Sequence, residues 1–245
     1  MNKIKVAAAQ IEVSENPQAN LEKILEYLSD AKTQNAALVV FPETCIYPKF
    51  DGIKKSKLNP VLSQIEKKCK ELKIWAVVGA YVKEGDLVKN AAHLISSSGK
   101  IEHSHYKTRK WESEEGITCE PSDFPVLGTE LGKIGLAICW DISNEQIIQN
   151  FRKKGAEIIL CPSWIPGGNT SDFAETVPLG LAFFSDAFVI FADSTNDNGG
   201  KSAICSPRNF LARDYGKEAL LVAELNPEQL AEMKSLKGLS DHFFY

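Results

Sequence analysis

Three polar residues stand where strand-like runs end. Leu38-Val-Val-Phe41 runs into Pro42-Glu43, the run near Ile101–Tyr106 ends at Lys107, and Ile134-Gly-Leu-Ala-Ile138 ends at Cys139. Strand ends of layered α/β proteins are where sites are usually built. A carboxylate, an ammonium and a thiol together can run nucleophilic acyl chemistry. Only a few per cent of a thiol with pKa ~8.5 is ionised at neutral pH, so attack needs a partner that takes its proton. A carboxylate can accept that proton, and an ammonium can hold the charge that builds on the substrate oxygen. The backbone N–H of Trp140 is a second candidate donor to that oxygen. A capping box at Ser143-Asn-Glu-Gln146 predicts a helix just after Cys139, whose N-terminal partial charge favours the thiolate. Singly, each residue has a plainer reading: a buried core thiol, a loop carboxylate, a solvated strand-end lysine.

The elements that must carry these residues alternate between short apolar runs and amphipathic patterns. Val6–Ile11, Leu38–Phe41, Trp75–Val82, Ala91–Ile95 and Ile134–Cys139 read as strands, as do Ile158–Cys161, Phe188–Ala192, Ala203–Cys205 and Leu220–Leu225. They are dense in Val, Ile and Ala with little alternation, as expected of sheets covered on both faces. Asn16-Pro17, Asn59-Pro60 and Asn226-Pro227 each predict a helix with an Asn cap and Pro at its first position. Leu21, Ile24, Leu25 and Leu28 make one apolar stripe, and Val61, Ile65, Cys69 and Leu72 another. Ser97-Ser-Gly-Lys100 reads as a hairpin turn.

With 245 residues, 44% hydrophobic and 24% charged, and no linker-like stretch, the chain reads as one domain over residues 1–245. A net charge of −4 with scattered basic residues gives no footprint for nucleic acid or an anionic membrane. No apolar run approaches the ~18 residues of a membrane span. Six cysteines, and an opening too short for a secretion signal before Val6–Ile11, give the expectation of a cytoplasmic protein with free thiols.

Competing site readings are weaker. A Cys–His arrangement would draw on His93, His103, His105 or His242; His103 and His105, two apart on one face, could place one near the site, but their first reading is solvent or sheet surface. Ser97-x-x-Lys100 and Ser104-x-x-Lys107 match a Ser–Lys hydrolase pattern, but that chemistry wants the pair on one helical turn. Gly200-Lys-Ser202 reads as a turn before a strand rather than a phosphate loop, because position 195 is Thr. No Cys or His pair has zinc spacing, so no metal and no cofactor is expected. Trp111, Trp140 and Trp164 are the candidate substrate-binding residues.

Phe41-Pro-Glu43, Gly99-Lys-Ile-Glu-His-Ser-His-Tyr-Lys107 and Gly135-Leu-Ala-Ile-Cys-Trp-Asp141 together resemble the base, lysine and nucleophile motifs of the nitrilase superfamily. Val6-Ala-Ala-Ala-Gln10, Gly155–Ser163 and Leu221–Leu225 extend the resemblance over nearly the whole chain. It implies a four-layer α-β-β-α sandwich of the α/β class, in a homodimer or higher homo-oligomer joined through outer helices. It further implies a Glu43, Lys107, Cys139 site that hydrolyses non-peptide C–N bonds through a thioester. A second glutamate follows the lysine motif in that family. Anchoring on Glu120-Pro121 and Phe124-Pro125-Val126 puts it at Glu115, with Glu114 as competitor, to orient the lysine or position water. Thr-Arg-Lys-Trp after Lys107 departs from the family pattern and leaves Lys110 as a competing lysine. Ser143 stands where many members have Arg, and Ser185-Asp186 where many have Glu-Asn. Cys139-Trp140-Asp141, where the nitrilase branch reads Cys-Trp-Glu, points to an amide, ω-amide or N-carbamoyl small molecule over a nitrile. A non-catalytic binding relative would have no physical need to hold a thiol between opposite charges.

Overall fold

The computed structural model describes residues 1–240, so His242 lies outside the described residues. The first six strands are β1 (Ile4–Gln10), β2 (Leu38–Val40), β3 (Ile53–Lys54), β4 (Trp75–Glu84), β5 (Leu87–Ile95) and β6 (Ile101–Tyr106). They continue as β7 (Val126–Thr129), β8 (Gly132–Leu136), β9 (Ile158–Ser163), β10 (Phe188–Asp193), β11 (Ala203–Cys205), β12 (Phe210–Arg213) and β13 (Ala219–Leu225). Of these, β3, β7 and β12 carry no run singled out from the sequence. The helices are α1 (Pro17–Thr33), α2 (Lys55–Leu72), α3 (Glu145–Lys153), α4 (Ser171–Ser185) and α5 (Glu228–Ser240). One sheet runs β13-β1-β2-β4-β5-β6 with β3 beside β4, and the other runs β12-β11-β10-β9-β8-β7.

Strand geometry sends successive side chains to opposite faces, and in the first sheet each face meets a different partner. Val6, Ala8, Leu38, Val40 and Val77 share a core with Ile134, Ile158 and Ile190 of the second sheet. Their neighbours Ala7, Ala9, Val39, Ala76 and Val78 pack against Leu21, Ile24 and Leu28 of α1 and Ile65 and Cys69 of α2. Phe151 of α3 and Leu181 and Ala182 of α4 join the core of the second sheet. The result is the expected four-layer α-β-β-α sandwich, and it explains why central strands such as β2 and β10 are apolar at almost every position. Further ties cross between the sheets: Ile11 bridges Ser194 in parallel, and the Glu43 N–H donates to the Ser163 carbonyl at 3.2 Å.

Two of the three Asn-Pro signals act as read. Asn16 Oδ1 accepts the Gln18 N–H at 3.0 Å with Pro17 opening α1, and Asn226 Oδ1 accepts the Glu228 N–H at 3.1 Å ahead of α5. The third does not: α2 opens at Lys55 and Pro60 lies inside it. A proline there forfeits only its own N–H bond close to the helix start, and burial of Leu58 in the extra turn offsets the loss. The Ser143 cap is displaced by one residue. Asn144 is the N-cap of α3, accepting the Gln146 N–H at 3.0 Å, because residues Cys139–Ser143 are taken up by a 3-10 turn.

His93 on β5 is buried, with Nδ1 2.8 Å from Ser104 Oγ on β6 and Nε2 unpartnered. Burial, aided by the Lys55 charge, lowers its pKa from 6.5 to about 4. The unfolded chain therefore binds the proton first as pH falls. The stability tied to a neutral His93 is complete above pH 6.5 and is lost towards pH 4, roughly 3 kcal/mol in all. Denaturant titrations at several pH values should show a shallower decline across that window for His93→Gln than for wild type. Equal slopes would remove His93 from the account.

Candidate active site

Each of the three strand-end residues is fixed by backbone bonds that continue its sheet. Phe41 N–H donates to the Val77 carbonyl at 3.0 Å and carries Glu43 past the end of β2. Lys107 N–H donates to the Asn90 carbonyl at 2.9 Å, extending the pairing of β6 with β5. Ala137 N–H donates to the Leu160 carbonyl at 3.1 Å, beyond the end of β8. Cys139 then turns with a φ of 44°, in the left-handed region that costs a non-glycine residue ~1–2 kcal/mol. Its sulfur lies 3.9 Å from the Trp164 carbonyl.

What holds this turn is Asp141. Its Oδ2 accepts the Ile138 N–H at 3.0 Å and lies 2.9 Å from His105 Nε2. Its Oδ1 accepts from Thr108 N–H and Oγ1, both at 2.8 Å, and from Arg109 N–H at 3.1 Å. One buried carboxylate thus ties the cysteine turn on the second sheet to the lysine strand end on the first. Burial alone would raise the Asp141 pKa, but the His105 bond and charge with the Ile138 and Thr108 donors outweigh it and hold the carboxyl low. His105 is therefore a buried partner of Asp141, not a surface residue as its sequence position suggested, because β6 turns that face onto the second sheet.

The lysine ammonium sits between two carboxylates, 2.7 Å from Glu43 Oε1 and 2.8 Å from Glu114 Oε2. Asn90 Nδ2 donates to Glu43 Oε1 at 2.6 Å and to Glu114 Oε1 at 3.2 Å. Tyr81 Oη and Trp111 N–H each donate to Glu114 at 2.8 Å. The structure thus brings Glu114, and not Glu115, against Lys107. Successive turns in the loop (Glu114 N–H to Trp111 O, Ile117 N–H to Glu114 O) bring Glu114 and Ile117 inward together, three residues apart, and leave Glu115 exposed. Lys110 also lies outside, exposed and donating to the Glu115 carbonyl at 3.3 Å.

Electrostatics sorts these groups. Burial raises the Glu43 pKa, with the Glu114 charge adding to it against the pull of Lys107 and a hydrogen bond from Cys139. Burial also acts to raise Glu114, yet Lys107, the Trp111 N–H and Tyr81 outweigh it and hold that carboxyl low. For Lys107 burial is the largest opposing influence, and the charges of Glu43, Cys139 and Glu114 overcome it and raise the pKa. Cys139 is pushed well above an ordinary thiol, first by burial and then by the Glu43 charge. Helix α3 begins only at Glu145, and the thiol stays protonated until a base takes the proton. Of the two carboxylates beside Lys107, Glu43 is the one whose pKa is raised.

These groups open into a pocket of about 340 Å³ whose wall includes Phe50, Tyr81, Trp111, Ser113, Trp164 and Asp197. A second lobe of about 140 Å³ adjoins it at Cys139. Trp111 and Trp164 border both lobes, and Trp140 borders the smaller, its ring 4.6 Å from Trp111 and 5.1 Å from Phe173. A larger groove of about 890 Å³ between α4, β12 and α5 contains none of the catalytic candidates. Neither Ser–Lys pair forms: Ser97 donates to Glu130 and Ser104 meets His93. Among the described residues, no group of three or more His, Cys, Asp or Glu side chains is placed to hold a metal ion. Tyr81, Asn90, Asp197 and Phe173 were not singled out from the sequence. The sequence gives no distinct signal for Asn90, which stands beside Lys89 at the head of the Ala91–Ile95 run.

Comparison with known proteins agrees with this geometry. The carbon-nitrogen hydrolase family model matches residues 5–235. The chain is 25% identical to omega-amidase NIT2-A of Xenopus laevis, over 96% of this chain and 92% of that protein. It is also 25% identical to the deaminated glutathione amidase of Mus musculus, over 97% of this chain and 82% of that protein. Among solved structures, a variant of the amidase from Nesterenkonia sp. AN1 superposes with a TM-score of 0.84 at 18% identity, covering 99% of this chain and 97% of that one. That structure shows covalent addition of the acetamide moiety of fluoroacetamide at its active-site cysteine. With the family model spanning all but the two ends and the sandwich shared with a solved amidase, this chain is a member of the carbon-nitrogen hydrolase family.

Proposed function

We propose that the protein is an amidase acting on a small-molecule amide, ω-amide or N-carbamoyl compound, with Cys139 as nucleophile. The observation that carries this reading is the Lys107 ammonium, 2.7 Å from Glu43 and 2.8 Å from Glu114, in the same pocket as the Cys139 thiol. Glu43 takes the thiol proton as sulfur attacks the carbonyl carbon. Lys107, with the backbone N–H of Trp140, stabilises the oxyanion. The intermediate collapses when Glu43 passes the proton to nitrogen, and ammonia or an amine leaves. Glu43 then deprotonates a water that attacks the thioester, and the acid product departs as the thiol regains its proton. Glu114 anchors Lys107, and the amidase relatives support an amide over a nitrile.

The test is ammonia release from a panel of amides, N-carbamoyl compounds and nitriles, with intact-mass detection of an acyl adduct on Cys139. Amide turnover with an adduct supports the reading, and turnover of nitriles alone overturns it. Glu114→Gln should lower kcat/KM on the order of 100-fold, since it removes one of two anions holding the lysine, whereas Glu115→Gln and Lys110→Ala should stay within about twofold. The reverse ranking would return the second glutamate to position 115.

A cytoplasmic homodimer belongs to the same proposal. All six cysteines are unpaired, and no described helix is long and apolar enough to cross a membrane. Exposed Phe183, Phe184 and Leu236 beside the groove between α4 and α5 give an apolar face for a second copy. Sedimentation at two protein concentrations tests it, and a monomer at both would overturn it.

A further inference from the structure

The two lobes that meet at Cys139 differ in kind. The wider holds Glu43, Lys107 and Glu114 on its wall, and the narrower holds none of those three: Trp111, Trp140, Trp164, Ile165 and Phe173 wall it, with Thr170, whose hydroxyl is bound to the Pro166 carbonyl. A tetrahedral carbon on the Cys139 sulfur carries three other substituents: the oxyanion, the nitrogen and the acyl chain. The oxyanion must face Lys107 and the nitrogen must face Glu43, both in the wider lobe. The acyl chain is then left with the narrower one. Its volume, about 140 Å³, is close to that of apolar protein cavities (~150 Å³) that stay dry and accept benzene.

Charge narrows the acyl group further. Among the described residues lining the two lobes, Lys107 is the only cation, and two carboxylates already neutralise it. At the rim stands Asp197, an exposed carboxylate whose Oδ2 accepts the Trp164 indole N–H at 3.0 Å. A carboxylate on the substrate would shed water in an aromatic lobe without a countercharge, and at the rim it would meet a like charge.

Resting on the amidase reading, we infer that the acyl group of the substrate is uncharged and apolar, up to about the size of a benzene ring. It seats between Trp140, Trp164 and Phe173, and monoamides of dicarboxylic acids are poor substrates. The experiment measures kcat/KM by ammonia release for hexanamide, its isosteric carboxylate adipamic acid, benzamide and 2-naphthamide, with wild type and Phe173→Ala. Hexanamide should exceed adipamic acid by about 30-fold or more. Phe173→Ala should shift the naphthamide-to-benzamide ratio upward by about tenfold, because the lobe lengthens. Adipamic acid within threefold of hexanamide would overturn the inference and leave the amidase reading standing. An unchanged aromatic ratio in the variant would overturn the placement of the acyl group. Absence of both ammonia and a Cys139 adduct with every amide would overturn the amidase reading and this inference with it.

Discussion

Replacement of Cys139 by alanine is expected to lower amide turnover on the order of 10⁴-fold or more, without disturbing the fold. No other cysteine borders either lobe among the described lining residues, so no neighbouring thiol can substitute. The Lys107 bridge to Glu43 and Glu114 does not involve the sulfur and should persist. The backbone supplies an internal control. At a φ of 44°, Cys139→Gly should be as inactive as Cys139→Ala, yet more stable than it by about 1 kcal/mol, because glycine enters the left-handed region without a Cβ clash. Ammonia release and thermal unfolding of the two variants read both effects. Turnover in the alanine variant within tenfold of wild type would end the assignment of Cys139 as nucleophile.

Asp141→Ala is expected to cost about 3–5 kcal/mol of stability together with most of the activity. The carboxylate is fully buried and accepts from the Ile138, Thr108 and Arg109 N–H groups, the Thr108 hydroxyl and the His105 ring. Truncation strands those donors away from water and unlinks the cysteine turn from the lysine strand end. The kinetic signature should lie in kcat rather than KM, since the aromatic walls of the lobes remain. Asp141→Asn keeps one acceptor oxygen and should recover part of the lost stability. Chemical denaturation with steady-state kinetics checks this, and a stability loss under 1 kcal/mol would refute the stapling role.

How much of this was readable in advance follows from how local each signal is. Glu43 and Cys139 follow apolar runs and Lys107 ends the strand after the hairpin, so strand ends mark all three positions. Glu114 was misplaced by one residue because it sits in a loop whose turns, not strand alternation, decide which side chain faces inward. Pro60 misled for a related reason, since the Asn-Pro signal states where proline is tolerated, not where a helix must begin. Tyr81 and Asn90 lie inside strands with no local mark of their own, and their value appears only once β4 and β5 bring them over Glu114. The His105 and Asp141 pair, 36 residues apart, depends on two sheets docking face to face, which no local pattern encodes.

Acid and thiol belong to different bodies here. Glu43 and Lys107 hang from the sheet of β2 and β6, and Cys139 from the sheet of β8. Each body keeps its own ladder of backbone bonds, whereas the distance between them depends on side-chain packing and a few cross-ties. Slippage of about 1 Å along that seam would leave every ladder intact and still disable an attack that needs reacting atoms aligned. Turnover is therefore a gauge of seam alignment: in rising denaturant, ammonia release should fade before the far-ultraviolet signal of the strands does.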